Sequence, residues 1–233
     1  MFQRIGIALL AVALLSTTAI VHAQTTEADE AMAAGKTLFE QGRPDRALAQ
    51  YRLALQWPGE HQARAHFNIG VCLYHLDRTD DAVAAYRTAI DLRRENYPAA
   101  QYALGLALQS LRRYADARDA FAAAVRSSKG KHAEALFELA LESQRAGDDR
   151  AAAEAYRQSI LASKDRLPAS HNNLGILLAR EGRIDEAMRE FETALRQSQG
   201  HFTEARENLA LCHRLLDGPP SRMIAQLRTA HRK

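Results

Sequence analysis

The chain has 233 residues and a formal net charge of +3, and the charged residues of both signs, 25% of the total, are interleaved. This near-neutral balance without a basic stripe argues against nucleic-acid binding, which calls for clustered positive charge. The chain also contains no linker that would divide it, so we expect one continuous core after the N-terminal segment.

The N-terminal segment Met1–Ala23 has the features of a secretory signal peptide. Arg4 provides a short positive start, Ile5–Leu15 is apolar, and Val21-His22-Ala23 resembles a small-residue cleavage site. We predict cleavage after Ala23, a periplasmic or secreted location, and no stable membrane insertion of the mature chain. An uncleaved anchor is the alternative, because Ile5–Val21 is about as long as the minimum of ~17 residues that spans a bilayer.

A 35-residue period follows the signal segment. A small residue occupies each step of it: Gly35, Gly70, Gly105, Ala140, Gly175 and Ala210. An aromatic column follows sixteen residues after the first five of these: Tyr51, Tyr86, Phe121, Tyr156 and Phe191. An unbroken period of this length indicates stacked structural repeats that cannot bury their apolar faces singly. We expect the small residues to lie where two helices approach closely and the aromatic rings to fill the space between neighbouring repeats.

Each repeat is predicted to contain two helices. Apolar residues at helical spacing predict the first helix over segments such as Ala63–Leu76 and Ala133–Ala146. Second helices are predicted over Asp80–Leu92, Ala115–Ser127 and Asp185–Gln197. Glycines such as Gly42, Gly147 and Gly182 end the first helix, whereas Asp77 and Arg112 take that place in the second and third repeats.

Two further columns flank the aromatic one in the five repeats: Ala47, Ala82, Ala117, Ala152 and Ala187 before it, and Ala54, Ala89, Ala124, Ser159 and Ala194 after it. This order of a small residue, Ala, then Tyr or Phe, then Ala resembles the tetratricopeptide repeat, a helix-turn-helix motif of about 34 residues. The resemblance covers Ala28 to Asp217 and implies an all-α fold, a right-handed superhelical solenoid. The domain spans 24–217, with repeats near 28–61, 63–96, 98–131, 133–166 and 168–201 and a partial sixth at 203–217. The bulky column expected four residues before the small one is mostly missing.

Residues 218–233 follow the repeats. Gly218-Pro219-Pro220 breaks the helix, and Ser221–His231 has an apolar stripe that includes Met223, Ile224 and Leu227. We predict a capping helix with a basic tail, since a solenoid must cover its last apolar face. Contact of the tail with an acidic partner or a membrane, and weak self-association through this helix, are the alternatives.

Nothing in the sequence indicates catalysis. The nine His residues are scattered without metal-ligand spacing, and no Gly-rich phosphate loop is present. We predict no enzymatic activity, no metal and no cofactor. Cys72 and Cys212 occupy equivalent positions four repeats apart, so we predict two buried free thiols rather than a disulfide.

The resemblance implies that the first helices line a concave groove that binds another protein or a peptide segment. The residues it assigns to this groove are Phe67, Asn68, Val71, Tyr74, Tyr102, Leu106, Gln109, Phe137, Glu138, Leu141, Asn172, Asn173, Ile176 and Asn208. Aromatic residues at these positions also pack between repeats in this family, which is the alternative interpretation.

The repeat resemblance and the signal-peptide features together imply a non-enzymatic scaffold or adaptor in the bacterial periplasm that binds a polypeptide segment. Two alternatives remain open at this point. One is a structural, self-associating envelope subunit, and the other is a glycan-binding or chaperone-like envelope factor.

Overall fold

The computed structural model describes residues 26–217 together with Leu227 and Thr229. The predicted signal peptide lies outside the described residues, and so does the predicted capping helix apart from those two positions. Across the described range the secondary structure is eleven α-helices without a strand: α1 26–40, α2 Pro44–Ala54, α3 His61–His75, α4 Thr79–Leu92, α5 Pro98–Ser110, α6 Tyr114–Ser127, α7 Ala133–Arg145, α8 Asp149–Ala162, α9 Pro168–Arg180, α10 Ile184–Gln197 and α11 Thr203–Asp217. None of the helices described is long and apolar enough to cross a membrane.

The all-α fold of helix-turn-helix repeats is confirmed. Odd-numbered helices are the first helices of the repeats and even-numbered helices the second ones. Their bounds lie close to the predicted ones: α7 begins at the predicted Ala133, and α4 ends at the predicted Leu92. The period of the apolar and small residues was therefore sufficient to place the helices.

Every turn between the two helices of a repeat contains one residue in the left-handed region. The φ angles are 73° at Gly42, 57° at Asp77, 59° at Arg112, 82° at Gly147 and 80° at Gly182. Asp77 and Arg112 therefore adopt the backbone that glycine adopts in the other repeats, as the sequence predicts. This conformation crowds the Cβ of an ordinary residue, so Arg112 holds it at a cost.

Replacing Arg112 with glycine is expected to stabilise the protein by about 0.5–1 kcal/mol, because the strain of a left-handed non-glycine residue is removed. Arg112 is exposed, so little packing is lost with its side chain. Thermal unfolding followed by circular dichroism measures the change. Gly147→Arg is the matched control and should destabilise the protein by a similar amount. A lower melting temperature for Arg112→Gly would contradict the presence of backbone strain at Arg112.

In four of the five repeats, the residue before the second helix is hydrogen-bonded to the residue three positions later. Arg78 donates to Asp81 over 2.5 Å, three residues later. The same pairing recurs for Arg113 with Asp116 and for Arg183 with Glu186. In the fourth repeat the residue before the second helix is Asp148, and Ala151 lies three positions later. There the backbone N–H of Ala151 donates to the Asp148 carboxylate over 3.0 Å. A carboxylate thus lies at each of these positive helix ends.

The aromatic column packs against the glycine column of the same repeat. A Cβ at Gly35 would lie 2.7 Å from Tyr51 Cε1, and one at Gly70 would lie 2.6 Å from Tyr86 Cδ1. These two rings are 4% and 3% exposed. The prediction of a close helix approach at the small residues is therefore confirmed, and each of these two rings lies against the glycine of its own repeat.

The chain divides into two compact units, one up to Arg112 and one from Arg113. In the first, α3 packs on α2 and α4, and α4 packs on α5. In the second, consecutive helices from α6 to α11 pack on one another around Phe137, Tyr156 and Phe191.

The two cysteines are free and buried, as predicted. Burial raises the pKa of each thiol to about 11. Both therefore remain protonated at neutral pH and pack as small apolar residues.

Candidate functional site

The first unit contains an open cleft between α1 and α3. Its volume is about 490 Å³. The apolar lining consists of Met32, Ala33, Phe39, Tyr51, Phe67 and Val71, and the polar lining of Asp29, Lys36, Glu40, Arg64 and Asn68. Phe67, Asn68 and Val71 are three of the predicted groove residues. They share one side of α3 because Val71 follows Phe67 by four residues and Asn68 by three.

The floor of the cleft is aromatic and held in place by neighbouring rings. The Phe67 ring lies 5.9 Å from the Tyr86 ring and 5.4 Å from the Tyr97 ring, centroid to centroid. Phe67 is half-buried, so one part packs against these rings while another lines the cleft. Both interpretations of this aromatic position, groove lining and packing, therefore apply to the same side chain.

The rim of the cleft carries weakly paired charges of both signs. Lys36 lies 3.8 Å from Glu40, and Arg64 lies 4.0 Å from Asp29. These side chains are 56–74% exposed, and such surface pairs contribute about 0–1 kcal/mol. All four charges can therefore exchange their present partners for groups on a ligand at little cost.

The remaining predicted groove residues of the first unit lie outside the lining of this cleft. Tyr74 is 37% exposed, and Tyr102, Leu106 and Gln109 are half-buried on α5. The sequence did not single out Asp29 or Arg64, because charged residues at a rim have no periodic signal.

The predicted groove residues of the second unit are all buried. Phe137, Asn172, Asn173 and Ile176 are 0% exposed, and the others are Glu138 at 7%, Leu141 at 8% and Asn208 at 1%. On α9 this burial extends over ten consecutive residues, from Ser170 to Ala179. The same repeat positions that line an open cleft in the first unit are thus enclosed in the second.

A ladder of buried polar side chains crosses the second unit. Asn208 Nδ2 donates to Asn172 Oδ1 over 2.9 Å, and Asn172 Nδ2 donates to Asn173 Oδ1 over 3.0 Å. Asn173 Nδ2 then donates to the Tyr156 hydroxyl over 3.1 Å, and that hydroxyl donates to Gln144 Oε1 over 3.2 Å. We call this the amide ladder; it joins α11, α9, α8 and α7.

The phenol of the ladder remains protonated at neutral pH. Burial raises the pKa of Tyr156, and the hydrogen bond from Asn173 opposes this only in part. The hydroxyl can therefore accept from one amide and donate to the next. The sequence predicts the three asparagines as groove residues. It places Tyr156 only in the aromatic column and does not predict its part in the ladder.

A second polar group ties α9 to its neighbours. His171 Nδ1 lies 2.6 Å from Glu190 Oε2, and His171 Nε2 lies 2.6 Å from Asp165 Oδ1. Burial lowers the pKa of the imidazole, but the two carboxylates outweigh it, so this pKa lies above its usual value. Each ring nitrogen thus lies within hydrogen-bonding distance of a carboxylate oxygen of its own. Among the residues that the structure describes, no group of three or more His, Cys, Asp or Glu is arranged to hold a metal ion.

Comparisons with known proteins agree with this architecture. The profile of the family described as "Tetratricopeptide repeat" matches residues 32–101, 102–165 and 141–202. A comparison with curated proteins found no match.

Three solved structures illustrate the similarity of fold. The structure of pilF from Pseudomonas aeruginosa has a TM-score of 0.70 and 18% identity, covering 88% of this chain and 90% of that one. MamA from Desulfovibrio magneticus RS-1 has a TM-score of 0.64 and 19% identity, covering 76% and 98%. YrrB, described as "a TPR protein with an unusual peptide-binding site", has a TM-score of 0.59 and 20% identity, covering 72% and 84%. At these identities the likeness shows the fold alone.

Proposed function

Because the chain belongs to the tetratricopeptide repeat family, whose fold serves as a scaffold for protein–protein interaction, we propose that it binds a polypeptide segment of a partner in the cleft between α1 and α3. The proposed setting is the bacterial periplasm, which rests on the signal-peptide features of Met1–Ala23. The chain acts there as an adaptor without catalysis of its own. The observation that carries the proposal is the open cleft with an aromatic floor in the first unit.

The lining of the cleft matches the chemistry of an extended peptide. Phe39 and Phe67 are half-buried and offer rigid apolar surface that orders at low entropic cost. The Asn68 side chain can donate to a peptide carbonyl and accept from a peptide N–H. The exposed charges on the rim can pair with side chains of either sign, and the YrrB description supports peptide binding by this fold.

The experiment places a photo-crosslinking amino acid at Lys36, which lines the cleft and is largely exposed. The probe is used in the intact protein in living cells, and adducts are identified by mass spectrometry. The matched position is Arg87, which is exposed on α4 and lies outside the cleft lining. We expect one dominant polypeptide adduct from position 36 and none of that identity from position 87.

A second variant tests whether the cleft itself forms the contact. Val71→Glu places a charge in the apolar lining of the cleft. The segment identified by crosslinking is made as a synthetic peptide, and we expect this variant to bind it at least tenfold more weakly. Arg87→Glu serves as the control with unchanged affinity, and a melting curve verifies that both variants are folded. Full-strength binding by a folded Val71→Glu variant would show that the cleft is the wrong surface. Only self-adducts would favour the self-associating envelope subunit.

A further inference from the structure

The loops that follow α4, α6, α8 and α10 contain the same turn. Glu95, Gly130, Asp165 and Gly200 occupy one step of the 35-residue period, with φ angles of 63°, 73°, 60° and 81°. The backbone N–H of each donates to the carbonyl five residues earlier in the preceding helix, over 3.1, 2.9, 2.9 and 2.8 Å. Asp165 holds this left-handed backbone without being glycine, so its conformation requires support from the surrounding structure.

In three of these four loops, a polar side chain six residues later connects the turn to the next first helix. Gln101 and Arg206 each donate to the backbone oxygen of the loop residue six positions before them. His171 instead contacts the side chain of Asp165, with Nε2 2.6 Å from Oδ1. The fourth residue of the column, Leu136, is apolar. The column that lacks the expected bulky residue therefore joins consecutive repeats through hydrogen bonds.

Of these four column residues, only His171 can lose a proton near neutral pH. Its other nitrogen, Nδ1, lies 2.6 Å from Glu190 Oε2 on α10. Asp165 from the α8–α9 loop and Glu190 from α10 are the charged groups that act on the imidazole, and within the described part of the chain α8 and α11 add none. A charged imidazole donates from both nitrogens, whereas a neutral one donates from a single nitrogen. The neutral ring cannot keep both contacts, because one of its nitrogens would present a lone pair to a carboxylate.

The contact with Asp165 is the one that a neutral ring gives up. The Asp165 side chain is 65% exposed and that of Glu190 is 27% exposed, so water replaces the imidazole more readily at Asp165. Gln197 Nε2 on α10 also donates to Asp165 Oδ1, over 3.1 Å, and this bond remains. Loss of the proton therefore removes the charged one of two side-chain contacts that hold the loop.

We propose that His171 is a protonation-dependent latch: the charged imidazole holds the α8–α9 loop, residues 163–167, against α9 and α10, and the neutral imidazole releases it. The latch belongs to the fifth repeat and is not a general property of a histidine at this position. His66 is the equivalent residue of the second repeat, but Glu60, six residues before it, has a φ of −66°, outside the left-handed region. Burial lowers the pKa of His66, and no carboxylate of the described residues opposes this. The latch lies outside the α1–α3 cleft and does not depend on the proposed function.

The latch is closed at acidic pH and opens as the pH rises. Burial lowers the pKa of His171, but the contacts with Glu190 and Asp165 raise it by more, so it lies above the usual 6.5. A group whose pKa is raised in the folded protein stabilises it fully below the pKa of the unfolded chain. That contribution is lost as the pH rises through the folded-state pKa. We therefore expect the loop to be released in a pH window that begins above 6.5.

The first test measures hydrogen exchange of the Asp165 backbone N–H, which donates within the turn. Its protection factor, corrected for the intrinsic pH dependence of exchange, is compared at about pH 5.5 and about pH 9 in the full chain. We expect a loss on the order of tenfold at the higher pH, because a hydrogen bond from a charged group is removed. The matched control is the Glu95 N–H, since Gln101 holds that loop without a titratable group. Equal changes at the two positions, or none at Asp165, would overturn the proposal.

His171→Gln tests whether the imidazole itself is the titrating group. The variant places at this position the residue that holds the loop before the third repeat. We expect protection of the Asp165 N–H to become independent of pH. A loss at the higher pH as large as in the original protein would show that another group opens the loop, which overturns the proposal.

Asp165→Asn tests the contact from the loop side and is expected to fold, because Asp165 is exposed and asparagine tolerates the left-handed backbone. NMR follows the titration of the His171 ring, whose signals are assigned by their absence from His171→Gln. The midpoint in the original protein should lie above 6.5 and should fall in Asp165→Asn, where the charge of the side chain is removed. The midpoint of His66 serves as the reference and should not change. A His171 midpoint that Asp165→Asn leaves unaltered would contradict the latch.

Discussion

Asn173→Leu is expected to lower the free energy of unfolding by about 3 kcal/mol, since a buried polar group left without a partner costs about 1–3 kcal/mol. The substitution keeps the size of the side chain but removes the middle of the amide ladder. The Asn172 amide loses one acceptor at 3.0 Å, and the Tyr156 hydroxyl loses a donor at 3.1 Å. Both residues are 0% exposed, so water does not replace the lost hydrogen bonds without local opening.

The matched control is Asn68→Leu, the same repeat position three repeats earlier. Asn68 is half-buried and lines the open cleft, where water can hydrogen-bond the groups that remain. We expect this variant to stay within about 0.5 kcal/mol of the original protein, as surface substitutions usually do. Urea unfolding followed by circular dichroism measures both variants. Equal losses for both would show that the ladder contributes no more than an exposed amide.

Gly175→Val is expected to cost about 3 kcal/mol, at the upper end of the effect of overpacking a core. A Cβ at this position would lie 2.8 Å from Phe191 Cε1 and 3.1 Å from the backbone oxygen of Ala187. The Phe191 ring is 0% exposed and part of the core cluster of the second unit, and the backbone oxygen belongs to the partner helix α10. The two helices of the fifth repeat must therefore separate.

Arg180→Val on the same helix is the control for the helix propensity of valine. Arg180 is exposed at the end of α9, and its contact with Asp149 is a surface ion pair of 3.6 Å. We expect a loss below about 1 kcal/mol for this variant. Differential scanning calorimetry of the two variants compares them directly, and similar melting temperatures would contradict the close approach of α9 and α10.

Local features of the fold were predictable from the sequence because they depend on residues near one another in the chain. The 35-residue period places the helices, and the turns at Asp77 and Arg112 follow from their alignment with glycines. The residues against which each aromatic ring packs were less predictable. Periodicity shows that Tyr51 and Tyr86 are equivalent, but only coordinates show that each lies against the glycine of its own repeat.

The sequence predicted those residues of the candidate site that lie on a periodic face of a helix. Phe67, Asn68 and Val71 were assigned to a groove and line the cleft. The rim residues Asp29 and Arg64 were not, because a charged residue on an exposed face has no distinguishing pattern. The amide ladder was also not foreseen, since a hydrogen bond between Asn208 and Asn172 joins residues from different repeats.

The sequence by itself determined the 35-residue repeat, the two helices of each repeat and the left-handed turns between them. It also determined which side of each first helix carries the candidate surface. Only the tertiary structure decided which part of that surface is open. Phe67 and Phe137 occupy the same position in their repeats, yet one lines a cleft and the other is 0% exposed. The physical reason is that periodicity sets the direction of a side chain, whereas its exposure depends on all the residues that pack over it in three dimensions.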